Sequence, residues 1–380
     1  MFLNKLKAEN FRNYSSLDLG FSPDINIFFG RNAQGKTNLL EAISLLALGR
    51  SFRTKKEEEL IRWDTEHCYT VGEFLGSELD TRIEIGIGRG EKKVKIDGKP
   101  VRRNELLGRV PIVFFGPDDL QLVKGGPAGR REFIDLYLAQ IEPEYRLIYY
   151  NFYKVLQQRN RLLKEIHPDR NELEAWNEQL IDRGTQVILY RMRLVEQIKP
   201  FINQAHHQIS ASTESLNIEY LTFRRRLQRS ATLSDVVEWE NLMDREMIEG
   251  IFRSEIERMG RVEMERHITL VGPQLDDLRL TLGSDIELRD FGSQGQQRTA
   301  SLALKLGLIA KIKENRGEFP LLLLDDVMSE FDDCRKQALL QNMVGSVQTF
   351  MTSTSRRDFP IPTDQARFFE VEQGAVKNVQ

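Results

Sequence analysis

Residues 30–37 read Gly-Arg-Asn-Ala-Gln-Gly-Lys-Thr, the G-x-x-x-x-G-K-[ST] spacing of a loop built to hold phosphate. The two glycines let the backbone fold tightly and aim its N–H groups at phosphate oxygens, and the positive end of a following helix adds to that field. An apolar run at 25–29 precedes the loop and helical periodicity at 38–48 follows it, so strand, loop and helix come in the order the motif requires. On this reading Gly30, Arg31, Asn32, Ala33, Gln34, Gly35 and Asn38 wrap the triphosphate of ATP, Lys36 neutralises its β and γ phosphates, and the Thr37 hydroxyl ligates Mg²⁺.

A second set of groups lies far along the chain. The apolar run 321–324 ends in Asp325 and Asp326. The first carboxylate can hold Mg²⁺ through water and the second can polarise an attacking water. A strand ending in a solvated acidic turn is the alternative in isolation, but phosphoryl transfer needs both a cradle and a metal-orienting acid beyond another strand. Asp in place of the longer Glu at position 326 points to slow turnover. Shortly before this strand, residues 291–298 read Phe-Gly-Ser-Gln-Gly-Gln-Gln-Arg and open a helix expected over 299–312, with Ser293 and Gln296 at capping-box spacing. Exposed N–H groups at such a helix end suit an anion, and a capped helix without a ligand is the other reading.

The elements that must position these groups follow from patterning. Short strands are expected at 2–10, 25–29, 69–74, 81–88, 92–96 and 110–115, with Asp97-Gly98 as a hairpin turn. From about 129 to 266 the period becomes helical, as at 145–166 and 173–209, broken by Pro168 and Asp169, and this block reads as all-helical. Strand patterns return at 278–288, 321–324 and 347–351. The order implies an α/β lobe from 1–128 and 270–380, with 129–269 inserted as a helical lobe.

No run of about 18 apolar residues exists and residues 1–11 alternate charged and apolar side chains, so a cytoplasmic protein with no membrane segment is expected. Cys68 and Cys334 lack metal-ligand spacing and read as free thiols. A net charge of −3 gives no global pull on nucleic acid, so any DNA contact must be local. Candidate patches are Arg50, Arg53, Lys55 and Lys56; Lys92, Lys93 and Lys95 within the basic stretch 92–103; and Arg224, Arg225, Arg226 with Arg229. Each also reads as a solvated face, and Glu57, Glu58 and Glu59 partly cancel the first. Without regularly interleaved aromatics, contact with the backbone of DNA is expected, not base readout.

The segment around Ser293 resembles the signature motif of ABC-class ATPases, in which a Ser and a Gly at a helix N-terminus bind the γ-phosphate of ATP held by another subunit. The resemblance implies that Ser293, Gly295 and Gln296 touch nucleotide in trans, that ATP joins two chains into a homodimer, and that hydrolysis releases them. Ser329, Glu330, Phe331 and Asp332 resemble the D-loop of that class. Arg12 lies where related ATPases place a basic residue against phosphate, and a surface salt bridge is equally open. Most of the chain separates Gly30 from Ser293, as in the Rad50 and SMC families, but 35 helical residues reach only about 50 Å, so a compact lobe replaces their coiled coil. Over essentially the whole chain the pattern resembles the RecF family: Asn-Phe-Arg-Asn-Tyr at 10–14, the 30–38 loop with Leu-Leu-Glu-Ala at 39–42, Gly-Arg-Ser-Phe-Arg at 49–53, Gly125, Gly126 and Pro127 with Arg130 and Arg131, and Ser-Gln-Gly-Gln at 293–296. It departs at Gln274 and Leu275, where the family more often has His-Arg, and at Phe331, where Leu is usual; no Q-loop glutamine is evident near Pro117, Asp118 and Asp119, and Gln121 is not assigned. The resemblance implies an ABC-type ATPase head with an antiparallel β part, acting in repair of single-strand gaps, binding DNA in an ATP-dependent way and helping to load RecA with RecO and RecR. An ATP-clamped adaptor with negligible hydrolysis is the competing function, and a transporter-associated ATPase fits poorly because the spacing is too long.

Overall fold

The computed structural model describes residues 1–76, 79–210, 214–223, 244–283, 286–327, 336, 347–356 and 366–379. In chain order the first elements are β1 (Phe2–Phe11), β2 (Tyr14–Gly20), β3 (Ile25–Phe29), α1 (Lys36–Leu48), β4 (His67–Leu75), β5 (Thr81–Gly88), β6 (Glu91–Ile96), β7 (Lys99–Val101), α2 (Arg103–Leu106) and β8 (Ile112–Phe115). Next come α3 (Leu120–Lys124), α4 (Pro127–Ile141), α5 (Pro143–Leu162), α6 (Arg170–Ser210), β9 (Leu216–Leu221) and α7 (Arg245–Arg266). The remainder holds β10 (Asp277–Leu282), β11 (Ile286–Glu287), α8 (Leu288–Phe291), α9 (Gln294–Arg316), β12 (Leu321–Leu324), β13 (Thr349–Ser353), β14 (Ala366–Glu372) and β15 (Ala375–Val379).

Contacts divide the chain into two compact units: Met1–Asp119 with Gln204–Ser212 and Leu302–Gln380, and Leu120–Asn203 with Thr213–Ser301. The first unit carries two six-stranded sheets. One is antiparallel, in the order β2-β1-β4-β5-β6-β7, and its strand β5 alternates buried isoleucines with partly exposed residues, as a sheet with one covered face requires. Asp97 and Gly98 both take positive φ, 51° and 76°, which makes the β6–β7 connection the tight turn that the Asp-Gly pair signals. The other sheet runs β15-β14-β3-β13-β12-β8. Its β3, β13, β12 and β8 are parallel neighbours, and β3 and β12 are apolar runs that this burial on both faces demands. The rings of Phe28, Phe350 and Phe369 gather around Phe21, with Phe21 edge-on to Phe350 at 5.0 Å between centroids. Each such pair adds about 0.5–1.5 kcal/mol beyond its buried area. Cys68 is a free, buried thiol on β4, and Cys334 lies outside the described residues.

The second unit is not all-helical as its periodicity suggested. Leu216–Leu221 forms β9 and pairs residue by residue with β10, from Asp277 opposite Leu221 to Leu282 opposite Leu216. By its contacts this unit runs over 120–203 and 213–301, beside the 129–269 expected for the inserted lobe. The strand expected over 278–288 ends at Leu282, with β11 and the one-turn α8 behind it, and the following helix begins at Gln294, earlier than its apolar period showed. Buried arginines hold the unit together: Arg130 forks onto Asp277 at 2.7 and 3.1 Å, Arg191 onto Asp135 at 2.8 and 2.9 Å, and Arg159 meets Glu263 at 2.6 Å. Planar forks saturate both carboxylate oxygens, which is what makes charges tolerable there.

Candidate nucleotide site

The loop after β3 is shaped by its glycines. Gly30 has φ 153°, and a Cβ there would fall 2.3 Å from the Val371 carbonyl oxygen. Gly35 has φ 117° and would press a Cβ into the Asn13 side chain at 2.5 Å. Neighbouring strands pin the loop from outside. Asn13 Nδ2 donates to Gln34 O at 2.8 Å, the Tyr14 hydroxyl to Gly35 O at 3.0 Å, and the Gln373 N–H to Gln34 Oε1 at 2.7 Å. Among the described residues the N–H groups of Gly35, Lys36 and Thr37 at the start of α1 make no backbone hydrogen bond, and α1 has no side-chain cap. Free donors at the positive end of a helix are the chemistry of a phosphate site.

Lys36 is buried, with Nζ donating to Gly30 O at 2.6 Å and Arg31 O at 2.9 Å. Burial lowers its pKa, while the carboxylates of Asp326 and Asp325 oppose that shift. Thr37 Oγ1 donates to Asp325 Oδ1 at 2.9 Å. One strand, β13, separates β3 from β12, so the residues just beyond the two outer strands meet above it. Asp325 is buried and its N–H reaches Phe115 O on β8 at 2.9 Å; Asp326 is a non-glycine residue at φ 54°. The four groups singled out from the sequence, Lys36, Thr37, Asp325 and Asp326, therefore converge. Hydroxyl and carboxylate oxygens suit Mg²⁺, which uses few protein ligands, and no cluster of three His, Cys, Asp or Glu side chains exists among the described residues.

Sequence reasoning missed Thr352 on β13, whose hydroxyl touches both acids, and Glu41 on α1. A threonine in a strand carries no motif, and Glu41 entered only as part of the Leu-Leu-Glu-Ala segment, with no role attached. Arg12 is bidentate on the fully buried Glu41 at 2.8 and 2.7 Å and also donates to Glu59 O, an ion pair set deeper than the surface salt bridge offered as one of its two readings. The stretch where a Q-loop was sought holds an ion pair instead: buried Lys305 contacts the half-buried Asp119 and donates to Phe114 O at 2.6 Å. Burial pushes the Asp119 carboxyl up and the Lys305 ammonium down, each countered by the other's charge.

In the second unit Ser293 and Gln296 form the expected capping box, Ser293 N–H to Gln296 Oε1 at 2.9 Å and Gln296 N–H to Ser293 Oγ at 3.2 Å. Ser293 is exposed, Gly295 partly so, and Phe291 beside them is 78% exposed. Among the basic candidates Lys55, Lys56 and Lys95 are exposed, and Lys93 is exposed beside Glu91. Arg50 is partly buried. Arg53 is tied to Asn38 Oδ1 at 2.8 Å, and Lys92 caps α1 at Gly49 O and pairs with Glu57. Residues 224–226, 229 and 329–332 lie outside the described residues. Among the described residues no helix is long and apolar enough to cross a membrane.

The family model for the RecF/RecN/SMC N-terminal domain matches residues 2–377. Relatives called DNA replication and repair protein RecF, from Natranaerobius thermophilus and Lysinibacillus sphaericus, are each 40% identical over 99% of this chain and 98% and 100% of their own. A solved structure of the recombination mediator protein RecF with ATP, in the RecFOR pathway, superposes with TM-score 0.87 at 34% identity, covering 100% of this chain and 98% of that one. An Smc head bound to the C-terminal winged helix of ScpA shares the fold alone, with TM-score 0.57 at 15% identity. The chain belongs to the RecF/RecN/SMC N-terminal domain family, on its RecF branch, and has the mixed α/β ATPase head of that class.

Proposed function

We propose that the chain is an ATP-driven switch in DNA replication and repair, which binds ATP with Mg²⁺, hydrolyses it slowly and pairs with a second copy while nucleotide is bound. The observation that carries this reading is the hydrogen bond from Thr37 to Asp325, joining the phosphate loop to the acids across 288 positions. Mg²⁺, when bound, would be held by Thr37 and Asp325 and would neutralise phosphate charge. The free N–H groups of the loop bind the triphosphate, and Lys36 exchanges its carbonyl partners for phosphate oxygens. Asp326 orients the attacking water and takes its proton, at a reach one methylene shorter than Glu, which suits a timer more than a fast catalyst.

The helix end at Ser293, Gly295 and Gln296, where Ser293 is exposed, is assigned to the γ-phosphate of ATP on a second copy. Exposed Lys55, Lys56, Lys93 and Lys95, more than the engaged Arg50, Arg53 and Lys92, are the expected contacts with single-stranded and duplex DNA at gap junctions. The RecFOR pathway in which a solved relative is placed supports work with RecO and RecR; a cytoplasmic role that delivers RecA to gaps extends that reading.

Light scattering with and without ATP and Mg²⁺, on the native chain and Ser293→Arg, tests the switch. ATP should double the native mass and leave the variant's unchanged; no change in either removes the trans contact. Dimerisation and DNA binding without any phosphate release would favour the ATP-clamped adaptor.

A further inference from the structure

Thr352 sits on β13, the strand between the one that leads into the phosphate loop and the one that ends in the two acids. It is opposite Phe28 of β3, and its neighbour Met351 is opposite Leu324 of β12. The side chain is 1% exposed. Its hydroxyl donates to Asp325 Oδ1 at 2.8 Å and accepts from the Asp326 N–H at 2.9 Å. A hydroxyl has one proton and two lone pairs, so both bonds are made at once. The same Oδ1 also accepts from Thr37 at 2.9 Å, so side chains from α1, β13 and the end of β12 meet at one oxygen. The Asp326 N–H that Thr352 holds belongs to a residue at φ 54°, a left-handed conformation uncommon outside glycine, though Asp enters it more readily than most residues.

We propose that Thr352 is a positioning residue that couples the two acids. It fixes the rotamer of Asp325 for the metal and the left-handed backbone of Asp326 for the water, so that neither acid can be oriented alone. The inference rests on the ATP reading above. A purely structural threonine would fill the same space, and the two roles separate on the hydroxyl: Thr352→Val keeps the β-branched shape and removes both bonds, whereas Thr352→Ser keeps the bonds and loses a methyl.

The measurements are steady-state ATP hydrolysis, and titration calorimetry of a non-hydrolysable ATP analogue with Mg²⁺ and again with EDTA. Thr352→Val should lower kcat by about tenfold or more and shrink the affinity gained from Mg²⁺ by about tenfold, with binding in EDTA changed less than about twofold. Thr352→Ser should stay within about threefold of native on each. In an Asp325→Asn background, Thr352→Val should take nothing further from the Mg²⁺-dependent gain.

The proposal is overturned if Thr352→Val keeps native kcat and Mg²⁺ gain, if Thr352→Ser is as impaired as Val, if affinity falls equally with and without Mg²⁺, or if the losses add in the Asp325→Asn background. Should Thr352→Val fail to fold, the serine variant and the EDTA comparison still decide. A native chain that binds no analogue at all sinks the ATP reading itself, whereas native binding with an unaltered valine variant sinks only the role of Thr352.

Discussion

Replacing Glu41 with Gln tests the joint behind the phosphate loop. Glu41 is fully buried on α1 and takes the Arg12 fork at 2.8 and 2.7 Å and the Ser51 hydroxyl at 2.5 Å. Glutamine keeps the volume, drops the charge and turns an amide N–H toward groups that already donate. Removing one partner of a buried ion pair costs roughly 3–5 kcal/mol, because the other charge is stranded. Arg12 is 17% exposed and retains Glu59 O at 2.7 Å, which lowers the expected loss to about 2–3 kcal/mol. For a domain of about 150–250 residues that is a fall of roughly 4–12 °C in Tm. Scanning calorimetry on the native chain, Glu41→Gln, Arg12→Met and the double variant measures it. The double variant should lose less than Glu41→Gln alone, since no unpaired charge stays buried. A fall below about 1 °C for Glu41→Gln, or a double variant equal to the sum of the singles, would refute this reasoning.

Gly30→Ala should weaken ATP binding by about tenfold or more in calorimetry, because its Cβ would lie 2.3 Å from Val371 O at a φ that side chains avoid; undiminished affinity would mean that the loop binds in another conformation. Burial holds the Asp276 carboxyl up at about 6, above its unfolded value of about 3.9, so the folded state binds the proton more tightly. Stability should therefore be fullest below about pH 4 and decline as pH rises to about 6, and Asp276→Asn should flatten urea midpoints across that window; a slope that persists in the variant excludes Asp276 as its source. If Lys55 and Lys56 each meet a DNA phosphate, replacing both with Ala should lower the slope of log affinity against log salt by about 2, and an unchanged slope would place DNA elsewhere.

Much of the site was legible because its signals are local. The Gly30–Thr37 loop carries its glycines, lysine and hydroxyl within one turn of chain, and Asp325-Asp326 follows a four-leucine run that only a buried strand explains. The roles of Thr352 and Glu41 were not legible: their partners lie 27 and 29 residues away, and although Glu41 stands in the Leu-Leu-Glu-Ala segment, nothing local shows what either side chain touches. Strand β9 went unread for a similar reason. Leu216–Leu221 does alternate apolar and polar side chains, but the run is short beside the long helical periodicity around it, and β10, some way along the chain, supplies its hydrogen-bond partners. The edge strands β2 and β15 are polar on their open faces, which blurs the apolar alternation by which strands are recognised.

The place of β3 in its sheet has a consequence for synthesis. Both strands that flank it, β13 and β14, come from residues 349–353 and 366–372, while β3 itself is made of residues 25–29. On the ribosome the phosphate loop emerges early with Asn13 and Tyr14 to hold it, while its bonds from Gly30 to Ser353 and between Gln34 and Gln373 and Gly374 form last. A nascent or truncated chain lacking residues 349–372 therefore has the complete loop sequence without the two strands that flank β3.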